Sequence, residues 1–170
     1  KGDYLQGGPL LRAIPRQPSL IVLYSWREYS WEEARAVAEH IWSGGSLLAL
    51  ASADEGRQWR MRYFNRILGE FGVAASLTRP GGPGRFAQSP ITEGVHVQEI
   101  PPGIGIWSFD DVELVRAGDV TVASAVSSGA GRVFVIDAHM LWTDEPNVQR
   151  EFARLLENAV DWLIGTRQPE

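Results

Sequence analysis

The run Ser30-Trp-Glu-Glu-Ala-Arg-Ala-Val-Ala-Glu-His-Ile-Trp-Ser-Gly-Gly45 leads directly into Ser46-Leu-Leu-Ala-Leu-Ala-Ser52, and ahead of it stands Ser19-Leu-Ile-Val-Leu-Tyr24. Ser30 with Glu33 three residues on forms a capping box, in which each side chain accepts a hydrogen bond from the other's backbone N–H. Ala34, Val37, Ala38, Ile41 and Trp42 then recur at helical spacing as one apolar face. Gly44-Gly45 ends that helix, because glycine accepts the positive φ that a helix terminus requires. The flanking runs Leu20–Tyr24 and Leu47–Ala51 are unbroken and apolar, five residues each. Such runs suit strands buried on both faces.

Outward from this strand–helix–strand unit, residues 57–71 repeat the helical period. Trp59, Tyr63, Phe64, Ile67, Leu68 and Phe71 form the apolar side, and Gly72 is the stop. Thr78–Pro90 is rich in glycine and proline and reads as an exposed loop. Val95–Ile100, Glu113–Arg116 and Val120–Val126 read as shorter strands, the last two joined by a Gly118-Asp119 turn. Arg132–Asp137 is a third buried strand. Asn147–Ile164 is the longest helix, with Val148, Phe152, Leu155, Leu156, Ala159, Val160 and Leu163 as its stripe. The alternation predicts an α/β domain over residues 19–165: a mostly parallel sheet, helices on both faces, and an antiparallel edge from the 113–126 pair. Residues 1–18 form an irregular lead-in and 166–170 a tail.

Composition narrows the function. The 170 residues carry 21 acidic and 16 basic side chains, a net charge of −5. That balance argues against a nucleic-acid partner. Cysteine is absent, which excludes disulfides, thiolate metal sites and a cysteine nucleophile. His40, His96 and His139 are too widely spaced for a zinc motif, and no cofactor is implied. No apolar run approaches the ~20 residues that cross a bilayer, so direct membrane insertion of this segment is not expected, and either side of a membrane suits it. Fifteen of the sixteen basic residues are arginine. This reads as compositional bias, with Arg57, Arg60, Arg62 and Arg66 on the solvated face of the second helix.

In an open parallel sheet, ligands bind beyond the carboxyl ends of the strands. That rule selects Ser25–Ser30, Ser52–Arg57 and Asp137–Asn147. The candidate ligand-binding residues there are Ser25, Arg27, Asp54, Glu55, Asp137, Asp144 and Asn147. Ser52 and His139 form a candidate nucleophile–base pair, with Asp144 or Glu145 to orient the imidazole. The setting Leu50-Ala-Ser-Ala-Asp54 lacks the glycines of a nucleophile elbow. Asp54, Glu55, Asp137 and Asp144 offer oxygens to a hard cation, but strand-end acids more often cap the next helix, and no metal is expected. Asp144 and Asn147 are N-cap candidates, with Pro146 near the first turn of the last helix. Trp26, Trp31, Trp107 and Trp142 lie in or near loops, where exposed rings would make a partner surface.

Tyr29-Ser-Trp-Glu-Glu-Ala34 followed by Ile41-Trp-Ser-Gly-Gly-Ser-Leu-Leu-Ala-Leu50 resembles a segment of the class I glutamine amidotransferase-like superfamily. It is most similar to the non-amidotransferase branches, which include gliding and ABC-transporter-auxiliary domains. The likeness continues through Phe64-Asn-Arg-Ile-Leu-Gly-Glu-Phe-Gly-Val73, Pro90-Ile-Thr-Glu-Gly-Val95, Gly131-Arg-Val-Phe-Val-Ile-Asp137, Asn147 and Asn158-Ala-Val-Asp-Trp-Leu163. The resemblance implies a flavodoxin-like three-layer sandwich and a non-catalytic binding or scaffolding role. The partner would be another protein or the remainder of a longer chain. Two features depart from the family pattern: no strand–helix unit is evident before Leu20, and the amidotransferase cysteine has no counterpart. His139 falls near the family's catalytic histidine. The alternatives are a hydrolase using Ser52 and His139, and an oligomeric protein binding a small ligand such as a sugar or nucleotide.

Overall fold

A computed structural model describes residues 10–14, 19–52, 58–79, 81–109 and 112–165. The short helix α1 (Leu10–Ala13) is followed by strand β1 (Leu20–Tyr24), helix α2 (Trp31–Trp42) and strand β2 (Ser46–Ala51). The capping box forms as its spacing predicts. Glu33 N–H donates to Ser30 Oγ at 3.1 Å, and Ser30 N–H donates to Glu33 Oε2 at 3.0 Å. Gly44 takes φ +111° after the last helical turn.

A 3-10 turn (Gln58–Arg60) leads into α3 (Met61–Gly69), and then β3 (Val73–Arg79), β4 (Gly82–Phe86), β5 (Glu99–Ile100) and β6 (Gly103–Ser108). β7 (Val112–Ala117), β8 (Val120–Ser128), β9 (Gly131–Asp137), a 3-10 turn (Ala138–Leu141) and α4 (Pro146–Leu163) complete the order. β1, β2 and β9 lie side by side in parallel, with Ala49 opposite both Leu23 and Val135. Side chains alternate across them. Ile21, Leu23, Leu47, Ala49, Val133 and Val135 pack with α2 and α3, whereas Leu48, Leu50, Phe134 and Ile136 pack with α4. Helices therefore cover both faces.

The expected mostly parallel, flavodoxin-like sheet is corrected: it is mixed and largely antiparallel. Among the described residues only β1–β2 and β2–β9 pair in parallel, and the other six pairings are antiparallel. The physical reason is the turns. Gly118 (φ +58°) and Gly129 (φ +61°) sit in two-residue connections, which can join only antiparallel neighbours. The β7–β8 pair is also interior rather than an edge, since β8 carries β7 on one side and β9 and β6 in succession on the other.

Two strands, β3 and β6, stand where no strand was expected. Their small residues and glycines (Val73-Ala-Ala-Ser, Gly103-Ile-Gly-Ile) mask the β pattern. The glycine-rich loop expected over Thr78–Pro90 contains β4. A Cβ on Gly84 would overlap the Val97 carbonyl oxygen, so glycine is what lets the two backbones approach. Of the strand expected at Val95–Ile100, only Glu99–Ile100 pairs. In α3, Phe64, Ile67 and Leu68 enter the core and Tyr63 is half-buried, while Trp59, on the preceding 3-10 turn, is exposed.

The β8–β9 turn seats on the end of α2, where Ala130 N–H donates to Trp42 O at 3.1 Å. A Cβ on Gly131 would overlap the carbonyl oxygens of Ile41 and Gly45. We expect Gly131→Ala to cost about 2–3 kcal/mol of stability through backbone displacement. Gly69→Ala, at a helical position with open space around it, should instead gain roughly 0.5 kcal/mol. Urea unfolding of both variants measures the contrast; similar effects would remove the steric argument.

Candidate functional site

β1, β2 and β9 end in register, Tyr24 opposite Leu50 and Ala51 opposite Asp137. The three loops singled out by the sequence therefore start along one edge of the sheet. Ser25 follows β1 and is buried. Its Oγ donates to Ser52 O at 2.7 Å and accepts from Ser52 N–H at 2.8 Å. Ser25 thus extends the β1–β2 ladder by one residue, and the two serines meet through Ser52's backbone.

Asp137 closes β9 and is fully buried. One carboxyl oxygen accepts from His139 N–H at 3.0 Å, capping the 3-10 turn. The other accepts from Ile104 N–H at 2.8 Å, which ties β6 to the end of β9. His139 is exposed on that turn. Among the described residues no hydrogen bond joins it to Ser52. Asp137 is accordingly a structural acceptor rather than an open ligand group.

Arg27 pairs with Glu33 at the start of α2, and its guanidinium lies 5.0 Å from the Tyr29 ring centroid. Asp144 and Asn147 are exposed, and the cap position of α4 is taken by Glu145, without a side-chain bond. This corrects their expected capping role, while Pro146 does open the helix. Pro fits there because the first helical N–H has no partner to lose. Asp54 and Glu55 lie outside the described residues. Among those described, no group of three or more His, Asp or Glu side chains is placed to hold a metal ion.

The exposed feature of this edge is aromatic. The Tyr24 ring lies 5.1 Å from Trp26 and 6.0 Å from Trp142, centroid to centroid. Trp26 is 44% and Trp142 52% exposed. Tyr24 as the bridging ring was not singled out from the sequence, because a strand-end tyrosine reads as core. Trp31 and Trp107 lie elsewhere, at the start of α2 and on β6.

Tyr29, buried against Phe64, anchors the loop below: its hydroxyl donates to Tyr24 O at 2.7 Å. Burial pushes its pKa up to about 12, against the opposing pull of Arg27. An unfolded tyrosine ionises near 10, so between about pH 10 and about 12 the unfolded chain sheds a proton that the folded chain keeps. Stability from this group is full below about pH 10 and falls as pH rises toward 12, by on the order of 2 kcal/mol. Tyr29→Phe should cost about 1 kcal/mol at neutral pH and flatten that alkaline decline, as read from urea midpoints across pH. A second prediction concerns Ser52. A fluorophosphonate probe should leave it unlabelled, with Ser52→Ala giving the same background; stoichiometric labelling that disappears in the variant would establish a nucleophile.

The sequence matches no protein-family model and no curated protein. Solved structures do share the fold. The N-terminal domain of mmIFT52 aligns with a TM-score of 0.65 at 15% identity, covering 86% of this chain and 77% of that one. The cytoplasmic protein STM1381 from Salmonella typhimurium LT2 gives 0.64 at 14%, covering 95% and 89%. A β-galactosidase from Rahnella sp. R3 gives 0.56 at 10%, covering 84% of this chain but 23% of its own. At these identities the likeness shows the fold alone.

Proposed function

We propose that this chain is a non-catalytic binding or scaffolding domain that works within a longer protein or a complex. One observation carries the reading: at the sheet edge where α/β folds place their chemistry, Ser25 and Asp137 are buried and hydrogen-bonded to backbone, while Trp26 and Trp142 face outward around Tyr24. Exposed tryptophans are costly to leave in water and are enriched at the centres of protein interfaces. Polar side chains already committed to backbone partners have little capacity left for catalysis.

The neighbours support the same reading. One is described as the N-terminal domain of its protein, and in the β-galactosidase the matched region is about a quarter of the chain. The motifs that resemble the non-amidotransferase branches are in keeping with it, as is the missing cysteine.

The test places a photoreactive residue at position 142 of the full chain in its native cells, with position 157 on the exposed side of α4 as control. We expect a defined protein to be cross-linked from 142 alone. Reconstituted from purified components, that complex should weaken on Trp26→Ala/Trp142→Ala by about 2–4 kcal/mol, the loss typical of interface hot spots. Equal cross-linking from both positions, or unchanged affinity in the double variant, would overturn the reading.

A further inference from the structure

The outer face of α3 carries a ladder of alternating rings and guanidinium groups. Arg62 lies 5.9 Å from the Trp59 ring centroid and 4.6 Å from that of Tyr63. Arg66 lies 4.4 Å from Tyr63 and 5.0 Å from Trp31, at the start of α2. Arg60 covers Trp59 at 5.2 Å. Trp59–Arg62 and Tyr63–Arg66 are three apart and so neighbours on a helix surface, while Arg60 and Arg62 also lie against the rings next to them in sequence. Arg60, Arg62 and Arg66 therefore lie against rings rather than freely solvated as their sequence positions imply, and Arg57 lies outside the described residues.

Each guanidinium is also held by one oxygen. Arg60 donates to Trp26 O at 2.5 Å, Arg66 to Tyr29 O at 3.0 Å, and Arg62 to Tyr63 Oη at 2.7 Å. Among the described residues none of the three pairs with a carboxylate, whereas Arg27, Arg85, Arg116, Arg150 and Arg154 all do. A guanidinium has five N–H donors, so each keeps several after its single bond, not counting Nε of Arg60, which is buried without a partner among the described residues. Trp31 is 65% and Trp59 43% exposed. The outcome is three pre-oriented cations with open donors, rimmed by tryptophan, on a chain of net charge −5.

We propose that this ladder docks an acidic, carboxylate-rich segment of a protein partner. The proposal rests on reading the chain as a binding domain and adds the chemistry of what it binds. The planar fork of arginine matches a carboxylate through two parallel hydrogen bonds. Stacking has already removed much of the side-chain freedom that binding would otherwise cost. From Arg60 to Arg66 the helix rises about 9 Å, roughly the span of three residues of an extended peptide. A nucleic acid fits less well. Its evenly charged backbone would run past three cations onto a molecule of net charge −5.

The experiment uses the full chain and fluorescence anisotropy of a labelled octapeptide, Asp-Glu-Phe-Asp-Glu-Leu-Asp-Glu. Its amide counterpart, with every Asp and Glu replaced by Asn and Gln, and a single-stranded octanucleotide are the comparisons. We expect the acidic peptide alone to bind, and to weaken as salt rises from about 50 to about 500 mM. Arg62→Gln/Arg66→Gln should weaken it by about tenfold or more, while Arg85→Gln on β4 has no effect. Far-UV circular dichroism confirms that the variants are folded. No binding, equal binding of the amide peptide, tighter binding of the octanucleotide, or an unaffected double variant would each overturn the proposal. Trp142→Ala alone should leave peptide affinity intact. Position-142 cross-links without peptide binding sink this inference alone; peptide binding without those cross-links sinks the strand-end reading alone.

Discussion

The carboxyl group of Asp137 is the interaction on which the architecture turns. It is fully buried at the last residue of β9, and its two oxygens accept from Ile104 and His139 N–H groups. An acidic side chain in such a place is costly unless its oxygens are satisfied. Here the acceptors do structural service. β9 stops at Asp137, and β6 takes over the same edge of β8, with Ile106 opposite Thr121. The Asp137–Ile104 bond spans that handover. Because β3 pairs with β6, and α3 packs beside β3, this bond joins the parallel strands to that part of the core as the β6–β8 pairing does.

The same economy governs the neighbouring strand ends. Ser25 is spent on the Ser52 backbone, and Tyr29 on the Tyr24 carbonyl. Other residues in the recognisable motifs behave alike. Asn65 presents its amide to the backbone N–H and carbonyl of Ala75, at 2.8 and 2.9 Å, as a strand partner would. Asn158 donates to the carbonyls of Ile91 and Glu93 at 3.0 Å, fixing the segment before β5 onto α4. These polar side chains are thus ties between elements. Chemistry has to be argued from what such ties leave exposed.

This explains what could be read in advance. The Ser30–Glu33 box, the Gly44 stop and the three parallel strands follow from local rules, so their positions were legible to within a residue or two. β3 and β6 were not, because alanine, serine and glycine give no β periodicity, and β6 is tied at Ile104 to Asp137, far away in sequence. That β1, β2 and β9 end along one edge was legible. The roles were not, because a strand-end acid looks the same in sequence whether it meets a ligand or the N–H of Ile104. Burial decides between the two, and burial of Asp137 depends on a strand that was not foreseen.

Arginine makes the same point in the other direction. Fifteen of them in one chain read as bias, and as a residue type they are interchangeable in a count. In the fold their fates diverge by neighbour. Arg27 finds the buried carboxylate of Glu33, and Arg154 holds the Gly94 carbonyl beside Glu151. Glu151, accepting from His96 N–H and facing Arg150 and Arg154, has its pKa held below the usual carboxylate value, so these charges are mutually satisfied. On α3 the neighbours are rings. A ring face attracts a guanidinium without accepting its in-plane N–H groups, so apart from the one bond each makes to Trp26 O, Tyr63 Oη or Tyr29 O the donors are not used up. An ion pair orders an arginine and silences it; an aromatic ladder orders it and leaves it able to bind.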